Sequence, residues 1–129
     1  VLSTNSAWLM ASLAMGADGL LSGAGSVIAD LQSELYQAVQ AKNLPKAQEL
    51  ADRIYHTTQV FYCDPFGDMH NRMKEALVLL GRQDGPAVVR PPLMKLTQVE
   101  IARIAEAMTA AGIAKEGAIG LDSPALAAE

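Results

Sequence analysis

Two short apolar segments, Val1-Leu2-Ser3-Thr4 and Leu20-Leu21-Ser22, each run almost directly into a helix-forming stretch, and that order constrains the fold more than any other feature. Asn5 and Ser6 are good N-cap types, and Ala7 to Met15 is rich in Ala, Leu and Met, so a helix is expected there. Gly16 suits the position just past its end. After the second apolar segment comes Gly23-Ala24-Gly25-Ser26, a glycine-rich turn, and from Val27 onward Ile28, Leu31, Leu35 and Val39 recur at steps of three and four. Residues 1–42 therefore read strand, helix, strand, helix, and short loops between such units favour a parallel α/β arrangement.

Beyond Asn43 strand signals cease. Pro45 fits the first turn of a helix whose buried stripe is Leu50, Ile54, Thr57 and Phe61, ending near Asp64-Pro65. A further helix is expected from about Gly67 to Leu80, with Met73, Leu77 and Leu80 inward and Gly81 at its exit. Pro86, Pro91 and Pro92 make residues 82–96 an extended connector. Thr97-Gln98-Val99-Glu100 has the capping-box pattern, and the helix it starts runs to about Ala111, burying Ile101, Ile104 and Met108 before Gly112. The expected organisation is 1–42 as two βα units, 43–113 as a helical extension and 114–129 as a small-residue tail interrupted by Gly117, Gly120 and Pro124.

Composition narrows the function classes. Ten Lys plus Arg face 14 Asp plus Glu, with no run of basic residues, so the electrostatic footprint for nucleic acid is missing. No apolar run approaches the roughly 20 residues of a membrane span, and the N-terminus lacks a signal-peptide pattern. One cysteine, Cys63, excludes an internal disulfide. These features point to a soluble, cytoplasmic protein. At 129 residues the chain is long enough to bury about two thirds of its unfolded surface.

Two parallel strands leave backbone donors and acceptors unpaired on both edges, so they need neighbours. The abrupt start at Val1 fits a chain whose upstream portion completes the sheet. In order and spacing the sequence resembles the C-terminal part of the dihydrodipicolinate synthase and N-acetylneuraminate lyase family, class I aldolases on a (β/α)8 barrel. The matching stretches are Leu2-Ser3 in the seventh strand, Gly16-Ala17-Asp18-Gly19-Leu20-Leu21-Ser22 through the eighth, Lys74 to Gly81 in a C-terminal helix, and Arg90-Pro91-Pro92-Leu93 before the last helix. Together they span Val1 to about Ile113.

The resemblance implies the last two βα units of a TIM barrel plus a three-helix extension, and a chemistry in which a lysine amine condenses with pyruvate or another 2-keto acid. A desolvated lysine has a lowered pKa and becomes nucleophilic near neutrality. That lysine belongs to the sixth strand, upstream of this segment, as do the family's catalytic tyrosine and threonine pair; no catalytic residue is assigned here. Lys42, Lys46, Lys74, Lys95 and Lys115 fall on helices, connector or tail. Barrel chemistry sits at strand C-termini, which makes Thr4, Asn5, Leu21, Ser22 and Gly23 the candidate substrate-binding residues. The family's Leu21 position offers its backbone carbonyl to the site. Thr4-Asn5 replaces a common Gly-Asp, and Met69-His70-Asn71-Arg72-Met73-Lys74 lacks both prolines of the lysine-biosynthetic pattern, so a paralogous aldolase or dehydratase fits as well. The family also implies a homo-oligomer, a tetramer, and no cofactor. The alternative is a non-enzymatic helical interaction or oligomerisation module built from Val27 onward.

Several features have both a functional and a plain reading. Gly23-Ala24-Gly25-Ser26 could cradle an anion or simply form a tight turn. His56 and His70 lack partners at metal-ligand spacing. His70, Arg72 and Lys74 read as a solvated face or as ion pairs with Asp68 or Glu75, Cys63 as an inert, partly buried thiol, and Trp8, Met10 and Met15 as packing residues. Tyr36, Tyr55 and Tyr62 are expected to send their hydroxyls to the surface.

Overall fold

The computed structural model describes residues 1–4 and 6–114 of the chain. Their order is β1 (Leu2–Ser3), α1 (Leu9–Ala14), β2 (Gly19–Leu20), α2 (Gly25–Gln40), α3 (Leu44–Phe61), a 3-10 turn (Phe66–Asp68), α4 (Met69–Leu79) and α5 (Gln98–Ala110). The fold is helix-dominated, with one small parallel sheet in which Leu2 pairs with Gly19 and Ser3 with Leu20. Flanking bonds from Asp18 N to Val1 O and from Leu21 N to Ser3 O, both 2.8 Å, extend the pairing. β2 ends sooner than the apolar run suggests, because Ser22 O accepts from Gly25 N at 3.0 Å and so already belongs to the turn into α2. The tail expected from residue 114 onward falls almost wholly on 115–129, outside the described residues.

α1 begins two residues later than the cap types imply. Its N-cap position is Trp8, with no side-chain cap, since the Ser6 hydroxyl bonds elsewhere. Its far end is a Schellman motif: Gly16, at φ 100°, donates to Leu13 O at 3.1 Å, and Ala17 donates to Ser12 O at 3.0 Å. α4 and α5 end the same way through Gly81 and Gly112. α2 also ends so, with Lys42 in the left-handed position at φ 57°.

α2 is kinked. Ile28, at φ −117° and ψ 34°, leaves helical geometry, so the first turn is set off from the rest. The cause is a side chain entering the ladder: Arg82 Nη1 donates to Val27 O at 2.8 Å. Beyond the kink, Leu31 and Leu35 continue the buried stripe with Ile28, while Val39 is half-buried. α3 starts on Asn43, whose side chain accepts from Lys46 N at 3.2 Å, and buries Leu50, Ile54, Thr57 and Phe61 as the periodicity predicts. α2 packs on α3, α3 on α5 and α4 on α5, and the core joins them through Met73, Ala76, Ile101, Ile104 and Met108. Arg53 ties α3 to the end of α5 by donating from Nε to Ala111 O at 2.8 Å.

The connector after α4 is held by α4 itself. Asn71 Nδ2 donates to Met94 O at 2.8 Å, and Lys74 Nζ donates to Val88 O at 2.7 Å. One turn on from Asn71, Glu75 is buried, and its Oε1 and the Asn71 Oδ1 find no hydrogen-bond partner. Burial pushes the Glu75 carboxyl above the usual glutamate range, with Lys95 acting in the opposite direction. At the start of α5 the capping box is complete: Glu100 N donates to Thr97 Oγ1 at 3.3 Å, and Glu100 Oε2 accepts from Thr97 N at 3.0 Å. The backbone and side-chain bonds from Thr97 hold the Glu100 carboxyl below its ordinary range. Among the described residues no helix is long and apolar enough to cross a membrane.

Two outcomes follow. Thr97→Ala should cost about 1 kcal/mol at neutral pH, read as a lower urea midpoint. A depressed carboxyl stabilises above its ordinary value and loses that contribution as pH falls through the lowered one, so the gap between wild type and variant should narrow once the pH falls below the ordinary glutamate range. Glu75→Gln should raise the urea midpoint at neutral pH, because burial penalises the charged form of the wild-type carboxyl and the amide carries no charge. A raised carboxyl disfavours the folded state only above its ordinary value, so that advantage should shrink as pH falls through and below the ordinary glutamate range.

Candidate functional site

In parallel α/β folds the loops after the strand C-termini form the crevice where ligands bind. Here β1 runs out into Thr4 and Ser6, and β2 into Leu21, Ser22 and Gly23. Thr4, Gly23 and the Leu21 side chain are exposed and Ser22 is half-buried, while Asn5 lies outside the described residues.

The two loops are joined by hydroxyls. Ser6, which is buried, lies 2.7 Å from Ser22, oxygen to oxygen, and donates to the Tyr62 hydroxyl at 3.0 Å. A serine has one proton to give, so Ser22 is the donor to Ser6, and the chain runs Ser22 to Ser6 to Tyr62. The Tyr62 oxygen also accepts from Ala24 N at 3.1 Å, at the N-terminus of α2. From α3, Thr58 Oγ1 lies 3.3 Å from Ser6 O and 3.1 Å from Ile54 O, one proton shared between the two carbonyls. Gly23 lies over this network: a Cβ there would stand 3.6 Å from the Tyr62 hydroxyl and 3.7 Å from Met73 Cε.

This arrangement answers the question of an anion cradle at Gly23-Ala24-Gly25-Ser26. Four successive amides of the segment and the first turn of α2 are occupied within the chain: Ala24 by Tyr62, Gly25 by Ser22 O, Ser26 by Gly23 O at 3.2 Å and Val27 by Ala24 O at 2.9 Å. The segment is a tight turn between β2 and α2.

Helical spacing predicts a surface position for the Tyr62 hydroxyl, yet it points into the loops. α3 ends at Phe61, so Tyr62, at φ −109°, has left the helical period on which that expectation rested. The signal lay in the sequence that follows: the residue before a proline is biased away from helix, and Asp64-Pro65 forces the exit. Arg72 makes the exit stable. It is 2% exposed, neither solvated nor paired with Asp68 or Glu75, and its Nη1 donates to Cys63 O at 2.8 Å and Phe61 O at 3.4 Å. Its Nη2 reaches Asp64 O at 3.3 Å. Cys63 is exposed, its thiol donating to Val60 O at 3.4 Å. Trp8 is 64% and Met15 88% exposed, contrary to a packing role, while Met10 is half-buried.

Chemically, the described strand ends supply hydroxyls and backbone groups. Lys42, Lys46, Lys74 and Lys95 lie on helices, a turn and the connector, and Lys115 is outside the described residues. Among the described residues no three His, Cys, Asp or Glu side chains group as a metal site. No protein-family model matches the chain, and no curated protein matches it.

Arg72→Met should lower unfolding stability by about 2–3 kcal/mol in urea titration, because it strands carbonyls that a buried cation had satisfied. Arg72→Lys should recover less than half of the loss, since an ammonium cannot fork across the same carbonyls.

Proposed function

We propose that this chain is the C-terminal part of a Schiff-base-forming class I lyase or aldolase of the dihydrodipicolinate synthase and N-acetylneuraminate lyase type, acting on pyruvate or another 2-keto acid. In this reading residues 1–42 are the last two βα units of a (β/α)8 barrel and α3 to α5 are its helical extension. Thr4, Asn5, Leu21, Ser22 and Gly23 border the substrate. The observation that carries the reading is the parallel β1 and β2 pair, joined through α1, with both strand ends opening on one hydrogen-bonded mouth.

Two further features support it. A groove alongside β2, lined by Gly19, Leu20, Gly25, Ala29, Gln32 and Tyr36, leaves the buried Gln32 Nε2 without a partner. A neighbouring barrel element supplies what such a donor and a free strand edge need. The Schiff-base lysine then comes from an upstream barrel portion, and the assembled enzyme is a homo-oligomer. A helical interaction module built from Val27 onward fits less well, because the first 25 residues would then be a remnant, whereas Ser6 and Ser22 are bonded into the helical part through Tyr62.

The test is borohydride trapping with pyruvate on the full-length protein, read by intact mass and peptide mapping. The expected result is a pyruvyl adduct on a lysine outside residues 1–129. Saturating pyruvate with no adduct on any lysine would overturn the proposal.

A further inference from the structure

We infer that Tyr62 is a positioning residue for the mouth: the phenol, delivered by the helical extension, sets where the loop after β2 stands relative to the loop after β1. Three observations carry this. The phenol oxygen accepts from one group on each loop, Ser6 Oγ after β1 and Ala24 N after β2, and Ser22 is drawn in through Ser6. Ala24 is fully buried, and the α2 kink at Ile28 sets the turn that Tyr62 caps apart from the long helix behind it, so Tyr62 and the Arg82 bond to Val27 O are the side-chain ties on that turn. Tyr62 itself is held from the other side, by the Arg72 bonds to the carbonyls of Phe61, Cys63 and Asp64 that flank it and by its ring contact with Phe66, centroids 6.2 Å apart.

The consequence concerns Leu21 and Gly23. They directly flank Ser22, so a shift of the turn moves their backbone. If the mouth binds a 2-keto acid, Tyr62 acts on affinity through that backbone without touching the ligand. This second step rests on the lyase reading; the placement of the loop does not.

The experiment uses Tyr62→Phe in the full-length protein. The substitution keeps the ring and removes the oxygen. Hydrogen exchange at the Ala24 amide should rise about tenfold, the scale of one hydrogen bond, while the Ile104 amide in α5 stays at its wild-type rate. An unchanged Ala24 amide overturns the positioning role. Trapping with pyruvate and borohydride supplies the second readout: the concentration for half-maximal adduct should rise about tenfold, with the maximal rate kept within about twofold, the signature of lost uniform binding. If wild type traps pyruvate and the variant traps with the same half-saturation, the effect on affinity is overturned. If wild type traps nothing, the lyase reading fails and the exchange result alone decides the positioning role. Ser6→Ala separates the links, since it should leave the bond from Ala24 to Tyr62 in place and the Ala24 exchange within about twofold of wild type.

Discussion

The placement of a single buried cation underlies much of this structure. An arginine that is 2% exposed carries a large desolvation penalty unless its donors find acceptors. Arg72 finds three in main-chain carbonyls, Phe61 O at the end of α3 and Cys63 O and Asp64 O just beyond it, where the chain has no helical ladder to supply donors. Each side thus satisfies the other, and the chain between Phe61 and Asp64 is held in one conformation. Tyr62 sits within that stretch, so the hydroxyl joining the two strand-end loops owes its position to a guanidinium on the next helix.

α4 extends this logic along its length. Its buried face carries Asn71, Arg72 and Glu75 beside Met73 and Ala76, an uncommon amount of polarity for a helix interior. Arg72 and Asn71 use it to hold backbone on either side, the α3 exit and the connector at Met94. Glu75 is held less well: burial raises its pKa and one oxygen lacks a partner. The polar face of α4 organises irregular chain that has no ladder of its own, and it leaves one carboxyl at a disadvantage.

Much of the architecture was legible from residues alone. The stripes Leu50-Ile54-Thr57-Phe61 and Ile101-Ile104-Met108 are buried as their spacing implies, and Gly16, Gly81 and Gly112 end helices because each takes the left-handed position that other residues resist. The Thr97 and Glu100 capping box forms as written in the sequence. The site was only partly legible. Ser22 and Gly23 lie in the loop after β2 beside the hydroxyl network, whereas local spacing points to Ser6 as a helix cap and to Tyr62 as a surface residue. Both differences share a cause: a hydroxyl's partner is set by whatever oxygen or amide comes within hydrogen-bond reach, and here those partners lie 16, 38 and 56 residues away along the chain.

The helices, their inward faces and most of their ends can be read from the residues, because these depend on contacts within a few positions: periodicity, caps and backbone conformation. The residues also mark the two apolar segments at the start as short strands with helices after them. Which polar groups meet follows from the packing of distant segments instead. Arg72 could have paired with Asp68 or Glu75 on its own helix, and Ser6 could have capped α1, as local spacing allows. Burial removed water as the competing partner and left carbonyls and hydroxyls from distant segments as the groups able to satisfy them.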